Sequence, residues 1–285
     1  MSDDMTGKMA AQTSGSTSRR SAIRKGQAST VIYPLLFGAF LLALWEGGAL
    51  NAMTGADSFT LPSPSRIMGI LADNMPKIML NAQATLAVAL SGLILGSLLG
   101  YGIAMVASHF PKWGPGGLTV ISAFNAVPII AIAPILNNLT KDVSPDASTR
   151  SMVARILVVT ITCTVAMSMN AYRGFTELKP FSVDLLHSFA AKPRAIFLKL
   201  KVPNSIPYVF TALRISVPGS IIGAMVSEYF AEYIIGVGRQ IRENIVLAQY
   251  ATAWAYIVTA IAMGLSLYAA LLFAEGILLR WRRKA

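Results

Sequence analysis

The chain has 285 residues, 54% hydrophobic and only 13% charged, with a net charge of +11. A soluble domain carries about 25% charged residues and needs some on every surface helix, so this composition excludes a soluble all-α protein. The cations sit in tails and between long apolar runs, the pattern of a multi-pass membrane protein and not of a nucleic-acid binder.

Residues 1–30 are rich in Ser, Thr and Gly and hold Arg19, Arg20, Arg24 and Lys25, a composition that predicts a disordered, basic cytoplasmic tail. Arg19-Arg20 before an apolar run also fits a twin-arginine export signal. The run itself, Val31–Leu50, has about the 20 residues a span needs and is longer than a signal's apolar core, so an uncleaved first span is expected. Pro34 lies near its start, where proline is tolerated. In Thr60–Met79, Pro62 and Pro64 come first, and Ile67, Met68, Leu71 and Met75 form a stripe opposite Arg66, Asp73 and Lys77. That predicts a short helix lying at the outer surface. Ile78–Ser108 is free of charge and holds the second span. Gly92, Gly96 and Gly100 recur there every four residues, which makes one face smooth enough for close helix packing.

Lys112 marks the inner end, and the third span runs through Leu118–Leu139. Pro128 and Pro134 interrupt it; either the freed carbonyls line a translocation path or the prolines are kinks packed among neighbours. Lys141–Arg155 reads as a polar outer loop, Ile156–Tyr172 as the fourth span and Ser205–Glu228 as the fifth. Ile234–Glu243 reads as a surface loop, the sixth span lies within Ala251–Leu279, and residues 281–285 form a basic C-terminal tail. With both termini inside, 16 of the 24 Lys and Arg fall on the inner side and seven on the outer, which favours cytoplasmic termini.

Ionisable residues within spans are functional suspects. Glu228 and Glu232, near the outer end of the fifth span, are candidates to gate a mouth or contact a partner. Arg214 reads as a side chain that snorkels to the inner surface, and Glu46 and Glu275 as interfacial. Cys163, inside an apolar run, reads as an inert packing residue. No phosphate loop, HExxH, GxSxG or paired Cys is present, so no catalytic residue, metal site or cofactor is assigned.

Between the fourth and fifth spans, Asp184–Tyr208 is about one bilayer long yet too charged to enter one. Lys192, Arg194, Lys199 and Lys201 alternate with apolar residues, and Leu185, Leu186, Phe189 and Ala190 fall on one side of a helix. Pro203 is expected to stop any helix before it. A basic helix-turn-helix at the water side suits docking to a soluble partner; an ordinary positive loop is the plainer reading.

The spacing resembles the cytoplasmic "EAA" loop of permease subunits in bacterial ABC importers, whose pattern is Glu-Ala-Ala, three residues, Gly, nine residues, Ile, one residue, Leu-Pro. Asp184 stands at the Glu, Ala190 at the Gly, Leu200 at the Ile and Val202-Pro203 at the Leu-Pro, with every gap kept. Leu185 and Leu186 replace the alanines and Ala190 the glycine, departures that leave helix propensity intact. An LPSP at Leu61–Pro64 and VPIIAIAPIL at Val127–Leu136 extend the resemblance over Val31–Arg280, most closely to the branch importing nitrate, alkyl sulfonates, taurine, riboflavin and pyrimidine precursors. Val88 stands where family members often carry an arginine.

The resemblance implies an all-α, type I importer-like fold of about six transmembrane helices in residues 31–280, with a coupling loop at 173–204. It implies a multi-pass subunit of the inner membrane, in contact with lipid and with three partners: a separate ABC ATPase subunit, a solute-binding protein and a second permease copy. It names Asp184, Phe189, Ala190, Phe197, Leu200, Val202 and Pro203 as the ATPase-coupling loop, with Phe189, Phe197 and Leu200 as apolar contacts. Pro128, Pro134 and Glu228 are the candidate pathway residues, and Gly92, Gly96 and Gly100 the helix-packing face. An ion-coupled secondary carrier is the alternative; neither an internal repeat nor a carboxylate at a span centre supports it. The outer loops lack a dense basic cluster, which tilts the solute towards a neutral heterocycle.

Overall fold

The computed structural model describes residues 32–231 and 235–279; the expectations for the 1–30 and 281–285 tails and for Glu232 lie outside them. The chain divides into two units, one ending at Met68 and one beginning at Gly69. In the first, α1 (Ile32–Glu46) stops at Gly47-Gly48, where Gly48 takes the left-handed φ of 73°. The expected run to Leu50 is therefore broken, and α2 (Ala49–Thr54) follows as a separate turn of helix. Glu46 caps the start of α3 (Pro64–Asp73): its carboxylate accepts from the Ser65 N–H at 2.9 Å and the Ser65 hydroxyl at 2.6 Å. A carboxylate there meets the unpaired N–H groups and the positive end of the helix dipole. Met75, expected in the α3 stripe, belongs instead to the next helix.

The second unit is built on α4 (Met75–His109), α7 (Ala147–Thr176) and α10 (Val202–Tyr229), with α7 packed between the other two. At 35 residues α4 is about 52 Å long, more than the roughly 30 Å of a hydrocarbon core. Gly92, Gly96 and Gly100 let it close on α7: a Cβ at Gly96 would lie 2.5 Å from Thr160 O, and one at Gly100 2.5 Å from Thr164 O, while one at Gly92 would overlap Val159. Cys163 fills the space opposite Gly96.

The expected third span is two helices. α5 (Gly114–Ala123) passes through a tight turn at Phe124–Ala126 to extended Val127 and Pro128, and α6 (Ile129–Leu139) starts there. Only Pro128 breaks the chain; Pro134 lies inside α6, which absorbs it. The expected outer loop Lys141–Arg155 is half helix, because Asp146 caps α7 by accepting from the Thr149 hydroxyl at 2.6 Å and the Thr149 N–H at 2.8 Å. These bonds hold the Asp146 carboxyl below its ordinary range. α11 (Val237–Val246) replaces the expected surface loop after the fifth span, and α12 (Tyr250–Leu278) packs against α4, α10 and α11. α4, α7, α12 and the continuous helical stretch Pro193–Tyr229 are long and apolar enough to cross a membrane.

Candidate functional site

The loop between α7 and α10 is fixed at its base. Asn204 Nδ2 donates to the carbonyls of Gly174 at 2.8 Å and Glu177 at 3.0 Å, satisfying the C-terminal end of α7. Tyr208 Oη donates to the Glu177 carboxylate at 3.0 Å. Gly174 is the contact point, since a Cβ there would lie 2.6 Å from Ser205 Cα.

From this base α8 (Ser182–Ser188) projects, with Asp184 in its first turn, where a negative charge suits the helix dipole, and His187 in its last. Ala190 does not continue the helix. It sits at φ 54°, its N–H donating to His187 O at 2.8 Å, while the Ala191 N–H donates to Leu186 O at 3.0 Å. These paired bonds form a Schellman cap, whose left-handed residue is usually glycine. The glycine of the EAA pattern thus corresponds to a backbone conformation here, and Ala190 in its place carries a local strain.

α9 (Pro193–Ile196) passes through a wide π-turn, Phe197–Lys201, into α10. Pro203 does not stop this helix. It lies in the first turn of α10, where its missing N–H costs least, and the π-turn just before it shifts the hydrogen-bond register. Phe197 points inward: its ring stacks on Phe175 at 5.5 Å and meets His109 at 5.0 Å, with Tyr101 a further 5.2 Å contact of Phe175. Val202 packs on the same cluster, and Leu200 is half-buried. The expected docking contact Phe197 is thus a core anchor. The exposed apolar residues here are Leu185 (60% exposed) within α8 and Phe181 (81%) and Phe189 (75%), which flank it at either end.

At the opposite end of α7 and α10 lies a buried polar cluster. Glu228 is fully buried and does not face a mouth. Its Oε2 accepts from the Gly238 N–H at 2.9 Å and the Thr85 hydroxyl at 3.0 Å, and Oε1 stands 3.7 Å from Arg155 Nη1. The neighbouring N–H groups donate to α4: Gly236 to Asn81 Oδ1 at 2.8 Å and Val237 to Thr85 Oγ1 at 2.9 Å. Three successive N–H groups at the start of α11 are thereby satisfied by side chains of α4 and α10. Gly236 has φ 122°, and a Cβ on it would overlap the Glu228 carboxylate; one on Gly238 would overlap Met225 O. Pro128 and Pro134 are exposed, and Pro134 borders a polar cleft beside the start of α7.

Arg214 does not snorkel alone. Its Nε and Nη2 hold the Glu275 carboxylate of α12 at 3.0 and 2.8 Å, a bidentate pair. Sequence reading missed this pair and also Asn81, Thr85 and Arg155. Their signal was present: Asn81 and Thr85 are four apart in a charge-free run, hence on one helix face, and two glycines flank Val237.

Residues 92–284, more than half of the chain, match the family described as binding-protein-dependent transport system inner membrane component. The formylaminopyrimidine transport permease protein ThiX of Halalkalibacterium halodurans is 27% identical over 252 residues, 88% of this chain and 96% of the relative. A probable ABC transporter permease protein of Haemophilus influenzae is 25% identical over 199 residues, 70% of this chain and 77% of the relative. Among solved structures, an inward-facing conformation of the MetNI methionine ABC transporter superposes with a TM-score of 0.60 at 16% identity, covering 72% of this chain and 97% of that chain, a likeness of fold.

Proposed function

This chain belongs to the family of binding-protein-dependent transport system inner membrane components, and from that premise we propose how its parts serve transport. It is a multi-pass permease subunit of an ABC importer. In our reading α8 docks on a separate ATPase subunit at the cytoplasmic face, both termini lie on that side, and a solute-binding protein delivers solute to the opposite end. A second copy of the chain completes the pathway. The solute is a small neutral heterocycle, a reading supported by the relative that carries formylaminopyrimidine.

The observation that carries the docking reading is the division of labour in the loop. Phe181, Leu185 and Phe189 present exposed apolar side chains, while Phe197 ties the same loop to α4 and α7 through His109 and Phe175. A push on α8 then reaches the core as a rigid displacement, because close-packed cores switch between packings and do not deform continuously. The ion-coupled alternative loses ground for a separate reason. Among the described residues, the two carboxylates within the four long spanning stretches, Glu228 and Glu275, are each paired with an arginine.

The test is purification of the tagged chain from its native membrane. Recovery of an ATPase with the wild type, and its loss with Phe189→Asp at unchanged permease yield, is the expected result. Undiminished ATPase recovery with Phe189→Asp would remove α8 as the docking element. Phe197→Asp should instead lower the yield of folded permease, because it places a charge in the aromatic cluster.

A further inference from the structure

A cleft of about 480 Å³ lies between the C-terminal end of α4, α8 and the π-turn. Val183 and His187 line it from α8; four apart, they share one face of that helix, and exposed Leu185, midway between them, lies on the other. The cleft is therefore on the side of α8 away from the Leu185 contact. α4 ends and the spanning stretch Pro193–Tyr229 begins here, so the cleft lies at the level where spans leave the hydrocarbon and lipid headgroups begin.

The lining is basic beside an apolar wall. His109, His187, Arg194 and Lys201 contribute to it, and no carboxylate does. Among the described residues no ion pair engages Arg194 or Lys201, and Asp184, the acid of α8, is exposed and outside the lining. His109 Nδ1 lies 2.8 Å from Met105 O; a carbonyl oxygen only accepts, so Nδ1 carries the proton and Nε2 is left free. Val183 and Phe197, whose ring meets that of His109, supply the apolar wall. Cations alone would suit any anion. Cations beside an apolar wall, at headgroup depth, suit an anion joined to hydrocarbon.

We propose that this cleft binds the phosphate headgroup of an anionic phospholipid of the cytoplasmic leaflet, with the lipid's apolar part against Val183 and Phe197. The proposal goes beyond the permease reading and takes from it only the leaflet that the cleft faces. The phosphate meets α4 at His109 and the loop at His187, Arg194 and Lys201, so a bound lipid braces α8 against α4 and makes the freedom of the loop depend on membrane composition. A free phosphate gains the charges but not the apolar wall. An acidic segment of the ATPase fits less well, because a partner seated on Leu185 would have to reach behind α8.

The test uses the full-length chain in nanodiscs of phosphatidylcholine. It is titrated with short-chain phosphatidylglycerol, short-chain phosphatidylcholine or inorganic phosphate, and hydrogen exchange is read at the amides of α8 and the π-turn. Phosphatidylglycerol should slow exchange saturably, phosphatidylcholine not at all, and inorganic phosphate only at far higher concentration. Arg194→Gln and Lys201→Gln should each raise the phosphatidylglycerol needed about fivefold, the worth of one basic side chain at an anionic membrane. Exposed Lys179→Gln makes the same charge change outside the cleft and should leave the titration as in the wild type. Absence of saturation, equal potency of inorganic phosphate, or an effect of Lys179→Gln as large as that of the cleft variants would each overturn the assignment. An unchanged lipid response in both cleft variants, with loss of ATPase recovery, would give the cleft to the protein partner instead. The titration needs no ATPase, so the two readings fail separately. ATPase recovery without a lipid response removes the lipid site alone; a lipid response without ATPase recovery removes the coupling scheme and leaves the site.

Discussion

Glu228→Ala is the perturbation with the clearest energetic consequence. The carboxylate receives a backbone N–H at 2.9 Å and a hydroxyl at 3.0 Å, and it faces a guanidinium at 3.7 Å; the Arg155 and Glu228 side chains are 4% and 0% exposed. Its removal leaves Arg155 as an uncompensated buried cation and strands the Gly238 and Thr85 donors. Deleting one member of a buried pair costs about 3–5 kcal/mol. The stranded donors overlap with that figure and do not add to it, since all belong to one network. We expect Glu228→Ala to lose about 3–5 kcal/mol, and Glu228→Leu combined with Arg155→Leu to lose much less, because no charge is then left behind. The assay is reversible denaturant unfolding of the purified chain in lipid nanodiscs, run as a double-mutant cycle with Arg155→Ala. A loss below about 1 kcal/mol for Glu228→Ala, or additive single losses in the cycle, would refute the claim that this cluster holds α4, α7, α10 and α11 together.

Ala190→Gly should stabilise the loop between α7 and α10 by about 1 kcal/mol, since glycine takes the left-handed conformation without a Cβ penalty; slower hydrogen exchange at the Ala191 amide is the readout. Gly96→Ala should cost about 1–3 kcal/mol by forcing α4 off Thr160, whereas Gly102→Ala, with open space around it, should be neutral or stabilising in the same unfolding assay. Asp146 gives a pH dependence confined to the start of α7. Its folded pKa is lowered, chiefly by the Thr149 hydroxyl, so its contribution is present above the ordinary carboxylate value and lost as pH falls through the folded value. Exchange protection of the Ser148 and Thr149 amides should fall across that window in the wild type, and Asp146→Ala should show weak protection that is insensitive to pH there.

The long spans were legible because a bilayer imposes a one-dimensional rule: enough consecutive apolar residues, with charge pushed to the ends. Spans within Ile78–Ser108 and Ala251–Leu279 could be read without knowledge of any contact, and α4 and α12 run through those stretches, α12 ending at Leu278. The glycine period predicted a packing face for the same local reason. Proline was less legible. Pro128 breaks the chain, Pro134 lies within α6 and Pro203 starts a helix, because the cost of a missing N–H depends on where the residue falls in the turn.

The membrane class, the main spans and the place of the basic loop along the chain all follow from local composition and period. Tertiary structure alone decided what the charged and aromatic side chains do. Arg155 and Glu228 are 73 positions apart, and Arg214 and Glu275 61; nothing local ties either pair together. Phe189 and Phe197 read alike in the chain, yet one is exposed and the other stacks on Phe175, because the π-turn sets the direction in which each ring points. A buried polar group needs a partner, and only the packing of distant helices decides which one it receives.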